Sequence, residues 1–158
     1  MRIVLGEKVL DAASVLMRLF LGGVFTYAGF VKLLEPAGNF RAALYQYELI
    51  PVGLVPLLAA VLPWLEWLVG FCVLTGYGIR WSSLVLGLFA FSLAAMIFFS
   101  GKLWGDGAKT CGCFGENGPH LTFLQVFLLD LTNGFFGVLL WRLQRRFLSL
   151  DAWLLRQR

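Results

Sequence analysis

Charged residues cut this chain into four long apolar stretches. Between Asp11 and Lys32 lie 20 residues whose only charge is Arg18, and the 31 residues from Leu49 to Ile79 carry only Glu66. Trp81 to Gly101 holds no charge, and Leu121 to Trp141 holds only Asp130. A hydrocarbon layer of about 30 Å takes roughly 20 helical residues to cross, so each stretch is long enough. Helices and closed barrels are the structures whose backbone groups are satisfied in lipid, and these runs lack the alternation of barrel strands. The pattern predicts an all-α bundle of four transmembrane helices, near residues 10–33, 53–76, 82–101 and 121–142, forming one domain over 1–158. The first helix reads as retained rather than cleaved, because Arg18 interrupts any short apolar core and Lys32 arrives only after a full span.

Two flanking segments carry a helical apolar face without being long enough to cross. Phe40, Ala43, Leu44 and Tyr47 fall on one side of a segment bounded by Pro36 and Pro51, which predicts a short interfacial helix over 37–48. Leu143, Phe147, Leu150 and Leu154 repeat the pattern opposite Arg142, Arg145 and Arg146, which predicts a second one over 143–155, held by apolar burial and anionic lipid.

Composition agrees with the pattern and narrows the function. Only 14% of the residues are charged and 59% are hydrophobic, with a mean hydropathy of +0.81. Soluble domains carry about 25% charged residues. A soluble enzyme, a disordered segment and a disulfide-rich secreted scaffold are excluded. The net charge of +4 is no nucleic-acid signal, since the basic residues mark the ends of apolar segments. Eight of them (Arg2, Lys8, Arg80, Arg142, Arg145, Arg146, Arg156, Arg158) fall on one side of the predicted bundle and four (Lys32, Arg41, Lys102, Lys109) on the other. The positive-inside rule then puts both termini in the cytoplasm and the loops 34–52 and 102–120 outside, in the periplasm of a bacterial inner membrane.

The second outer loop holds Cys111-Gly-Cys113-Phe-Gly115. Two cysteines separated by a glycine can approach within disulfide range, because glycine tolerates the tight backbone of so small a ring. Such a ring closes almost no loop and contributes little stability through chain entropy, whereas exposed or strained disulfides suit exchange chemistry. A structural staple, or two unpaired thiols, remains the alternative. A metal site would have two thiols and His120, an incomplete zinc set, and no metal is expected. Cys72 lies roughly 30 Å along the second helix from Pro51, out of reach of this pair, and reads as a small buried hydrophobe.

Three charges fall inside the spans. Counting from the cytoplasmic ends of their helices, Arg18, Glu66 and Asp130 lie about 12–18 Å deep, which predicts a polar network in which Arg18 reaches one or both carboxylates. The network fixes helix register, or lines a proton path or a cofactor pocket. Lys32 ends the first helix on the cysteine side, where it either lowers a thiol pKa or snorkels to the headgroups. Trp64 and Trp67 flank Glu66 and could form an aromatic wall for a flat cofactor, or simply pack. Thr26, Thr132 and Asn133 are candidates for interhelical hydrogen bonds.

Taken together, Arg18, Gly22, Phe25, Ala28-Gly29 and Lys32 in the first helix, Leu49-Ile50-Pro51, Leu62-Pro63 with Glu66, Gly76, the CGCFG loop and Asp130 resemble the MauE branch of the DoxX-like membrane proteins. The resemblance covers about residues 10–142, and the CGCFG loop is its most specific part. It implies a four-helix membrane bundle linked to disulfide formation in a periplasmic partner, often beside thioredoxin-like proteins, with quinone-linked sulfur oxidation in related DoxX-like proteins. The chain departs from quinone-linked membrane disulfide oxidases in having one outer cysteine pair where those use two. The expected function is thiol–disulfide exchange through Cys111 and Cys113 with an extracytoplasmic thioredoxin-like partner, linked to a quinone and assisted by Lys32. The alternative is a non-enzymatic assembly factor for a periplasmic redox enzyme, with the cysteines structural.

Overall fold

The structure is a computed structural model that describes residues 2–47, 49–105, 111, 114, 118–143 and 149–150. In chain order the elements are α1 (Arg2–Leu34), a short α2 (Ala37–Tyr45), a 3-10 turn at Val52–Leu54 leading into α3 (Val55–Thr75), then α4 (Ile79–Phe99), one turn of α5 (Lys102–Gly105) and α6 (Phe123–Leu143). The described fold is all-α, and α1, α3, α4 and α6 are the four helices long and apolar enough to cross a membrane. Helix α1 starts at Arg2, well before the predicted residue 10. The apolar pattern marks where lipid begins and not where the helix does, so the turns carrying Glu7 and Lys8 fall outside the predicted span. The predicted helix over 143–155 lies outside the described residues, save for Leu143, Ser149 and Leu150.

Helices α3 and α4 are joined by Gly76-Tyr77-Gly78. Both glycines are left-handed, with φ of 74° and 55°, a conformation that L side chains adopt only with strain. This tight reversal makes the two helices antiparallel.

Two helix pairs form the body, each zipped by glycines. In the α1–α3 pair, a Cβ on Gly22 would lie 2.6 Å from the Leu74 backbone nitrogen, and one on Gly29 would lie 2.5 Å from that of Trp67. In the α4–α6 pair, a Cβ on Gly137 would lie 2.5 Å from the Gly87 Cα. Lipid tails are as apolar as leucine, so close van der Waals packing of small residues replaces the hydrophobic drive between helices. Thinner contacts of α3 with α4 and of α1 with α6 close the ring. Outward-facing Leu16, Trp81, Leu88 and Phe99 are exposed, as lipid-facing side chains should be.

The register places the N-terminus of α1, the α3–α4 turn and the C-terminus of α6 at one end, and α2 with the cysteine loop at the other. Helix α2 does not lie with its apolar face on the lipid headgroups. Phe40 and Leu44 are buried against Val55 and Ala59 of α3, so the amphipathic face predicted from sequence closes the end of the bundle.

Candidate functional site

A cavity of about 320 Å³ lies at the cysteine end, between the two helix pairs. Val24, Phe25, Ala28 and Lys32 of α1 and Leu58, Leu62 and Glu66 of α3 line one side. Phe89, Ser92, Leu93, Met96 and Ile97 of α4 and Val126 and Asp130 of α6 line the other. Phe40, Ala43 and Leu44 of α2, followed by Tyr47, cover it, and Cys111 and Phe114 complete the wall. The half-buried lining residues Leu58, Leu62, Leu93 and Met96, and the exposed Ser92, gather where α3 faces α4. The mouth therefore opens sideways, through the thin seam between these helices, toward the lipid.

Lys32 and Glu66 form a buried ion pair within this site. Nζ of Lys32 donates to both Glu66 oxygens, at 2.8 and 2.6 Å, and sits 4.7 Å above the Phe40 ring. This differs from the expected pairing with Arg18. Side chains on a helix tilt toward its N-terminus, so in the antiparallel α1–α3 pair Lys32 and Glu66 lean toward each other. Arg18 leans in the same direction as Lys32 but starts beyond Glu66, so its lean carries it away from the carboxylate, toward the end of the bundle that holds the N-terminus. There its Nε donates to the Val73 carbonyl and its Nη2 to the Leu74 carbonyl, both at 3.4 Å. Those carbonyls belong to the last turn of α3, where helical partners run out and a cation is favoured. Lys32 is 7% exposed and so turns inward instead of snorkelling.

Asp130 also faces the cavity. It is 5% exposed, and its Oδ2 has no hydrogen-bond partner among the described residues. Buried polar atoms are normally satisfied, and those left open merit a reason. Asn133, one turn further along α6, is fully buried with its amide likewise open.

Cys111 is disulfide-bonded and 1% exposed, with its backbone N–H held by the Leu121 carbonyl at 2.9 Å. Its Sγ lies 3.2 Å from the Tyr47 hydroxyl. A disulfide sulfur carries no hydrogen, so the phenol is the donor. Burial, with the Asp130 carboxylate adding to it, pushes the Tyr47 phenol well above its ordinary value, so Tyr47 keeps its proton at neutral pH. Cys113 lies outside the described residues. Cys72 is a free thiol, half-buried near the far end of α3.

The structure thus brings Lys32, Glu66, Asp130 and Cys111 around one chamber and leaves Arg18 at the opposite end. Trp64 and Trp67 contact each other edge to face at 6.2 Å, but neither lines the chamber, and Trp64 is exposed toward lipid. The sequence reading passed over Tyr47 and Phe40 as site residues. Their place on the amphipathic face of α2 and its C-terminal extension is visible in the sequence, but that pattern alone fits a helix on the membrane surface equally well.

A family model described as methylamine utilisation protein MauE matches residues 10–145. The chain belongs to the MauE family. No curated relative and no solved structure matches it. This MauE-family chain is thus a membrane protein linked to methylamine utilisation, and the matched stretch contains every residue that lines the cavity, from Val24 to Asp130.

Proposed function

We propose that this protein is a membrane thiol–disulfide redox protein, whose Cys111–Cys113 couple exchanges electrons with a cysteine pair of an extracytoplasmic thioredoxin-like partner. The observation that carries the reading is the Cys111 disulfide, buried beside a phenol donor at the end of the bundle remote from the N-terminus. Cys72 is free, and the reading takes Cys113 as the mate of Cys111. The excess of Lys and Arg at the other end favours an extracytoplasmic cysteine loop, and disulfides persist in that compartment.

The burial of Cys111 divides the labour between the sulfurs. A folded partner cannot reach a sulfur that is 1% exposed, so its thiolate attacks Sγ of Cys113. The Cys111–Cys113 bond breaks, and its electron pair leaves on Cys111. Tyr47 donates its hydrogen bond to the thiolate formed there, stabilising it as a leaving group. The partner's second thiolate then attacks its own sulfur in the mixed disulfide and releases Cys113. The partner leaves with a disulfide, and Cys111 and Cys113 hold two thiols. The reverse sequence reduces the partner.

This order predicts an asymmetry. Cys111→Ser leaves Cys113 as a lone thiol that attacks the partner's disulfide, displacing one partner thiolate, but without its resolving mate, so it should accumulate a mixed disulfide visible on non-reducing gels of membranes. Cys113→Ser should trap far less. The absence of an adduct with any thiol protein in both variants would overturn the exchange reading. The packing of Cys111 among Ala28, Tyr47, Ile97, Phe114, Phe123 and Val126 favours a second reading, a maturation factor for a periplasmic redox enzyme with a structural disulfide. Cys113→Ala that still matures such an enzyme at the normal rate would support it.

A further inference from the structure

If Cys111 and Cys113 oxidise a partner, their dithiol must in turn lose two electrons. The remaining cysteine, Cys72, is at the wrong end of α3 to take them. The cavity offers a route that the loop surface does not, because Cys111 forms part of its wall. Its mouth between α3 and α4 faces lipid, and its lining is almost wholly apolar. A charged, water-soluble oxidant would have to shed its hydration to enter. At about 320 Å³ the space is of the size that holds one small ring system, at the lower end of ordinary ligand sites.

The polar groups inside point to the chemistry of the guest. Lys32 and Glu66 satisfy each other. Asp130 has a buried oxygen without a partner among the described residues, and the Tyr47 hydroxyl lies against the sulfur. A guest that fits is flat and lipid-soluble, carries an oxygen able to accept a hydrogen bond from the protonated Asp130 carboxyl, and accepts two electrons together with two protons.

We propose that this cavity is the binding site for the head group of a lipid-soluble quinone, which serves as the electron-accepting co-substrate, with Asp130 as its hydrogen-bonding and proton-exchanging residue. The proposal rests on the exchange reading above and deepens it. Cys111 and Cys113 give up two electrons and two protons as their S–S bond forms, and these become the two O–H groups of a quinol. Asp130 passes one of the protons, and the apolar walls keep water from the sulfur meanwhile. A single cysteine pair can then serve both reactions, because Cys113 meets the protein partner and Cys111 faces the membrane chamber.

The test uses the purified full chain in detergent, with its disulfide intact so that no turnover occurs, titrated with ubiquinone-1 against empty micelles. Binding should saturate at one equivalent. Ser92→Trp places a bulky ring in the mouth at an exposed position, so the fold is not at stake. Asp130→Asn keeps the shape but removes the acid. Ser92→Trp should weaken binding by about tenfold, as expected for an obstructed entrance, whereas Asp130→Asn, whose amide N–H still donates to a quinone oxygen, should bind about as the wild type does. Reoxidation of the pre-reduced Asp130→Asn protein by ubiquinone-1, followed by thiol alkylation, should slow by at least about tenfold, the lower end of what a positioned acid–base group supplies. No saturable binding to the wild type, binding unchanged in Ser92→Trp, or reoxidation unchanged in Asp130→Asn overturns the proposal. A trapped partner adduct in Cys111→Ser without ubiquinone-1 binding would refute the cavity assignment and leave the exchange reading standing. Binding without any adduct would do the reverse.

Discussion

Lys32 and Glu66 show how much a single contact organises. Two charges removed from water are tolerated here because each is the other's partner, with three heavy atoms locked in a fork and an aromatic face above. Removing one of them leaves the other buried and unmatched. Lys32→Met should therefore cost about 3–5 kcal/mol, whereas Lys32→Met with Glu66→Leu should recover most of that loss, since apolar replacement of a whole buried pair is often neutral. Thermal unfolding of the two variants in the same detergent checks this; equal loss in both would mean that the residues matter for reasons other than their pairing. The residues of this site could be identified in the sequence, but their partners could not. Depth counted along separate helices placed Arg18, Glu66 and Asp130 together. The direction in which side chains lean, which chose Lys32 over Arg18, depends on how α1 and α3 pair.

Elements were easier to read than contacts. The four long helices follow from apolar runs between charges, since lipid admits no other solution at that length. The role of α2 was harder, because an amphipathic face packs equally well on headgroups or on a bundle end, and only the position of α3 decides. Glycines also carried a signal: Gly22 and Gly29 on α1, and Gly134 and Gly137 on α6, recur at spacings that put them on one helix face. At Gly137 any side chain meets the backbone of α4, so Gly137→Val should force α4 and α6 apart and lower stability severely. Gly23→Ala, with nothing within 4 Å of the added carbon, should be neutral or slightly favourable. Equal behaviour of the two in thermal unfolding would mean that the glycine seam does not hold the pair together.

For the whole molecule, the bundle has a chemical polarity along its long axis. Arg18 and the α3–α4 turn occupy one end, and the cavity, α2 and Cys111 the other. The sequence showed that asymmetry as eight basic residues against four. It did not show that the sulfur and the intramembrane charges share a chamber, because nothing in the chain order brings residues 32, 66, 111 and 130 together. If the cysteine end faces away from the cytoplasm, a membrane-impermeant maleimide applied to intact cells after reduction should label the pair through Cys113. Cys72, near the opposite end, should be labelled only after permeabilisation. Labelling of the pair only from the inner face would reverse the orientation.

The two glycine-zipped pairs, α1 with α3 and α4 with α6, pack as two leaves, each closer within itself than across the seams between them. Gly76-Tyr77-Gly78 is the spine that binds one leaf to the other, and it lies at the end farthest from the chamber. A small rotation about that spine therefore leaves both leaves intact and produces its largest displacement at the entrance beside Ser92. The width of the aperture would then follow the angle between the two halves as well as the side chains at its rim, so a covalent link between α3 and α4 near the cysteine end would fix that angle without touching the sulfur.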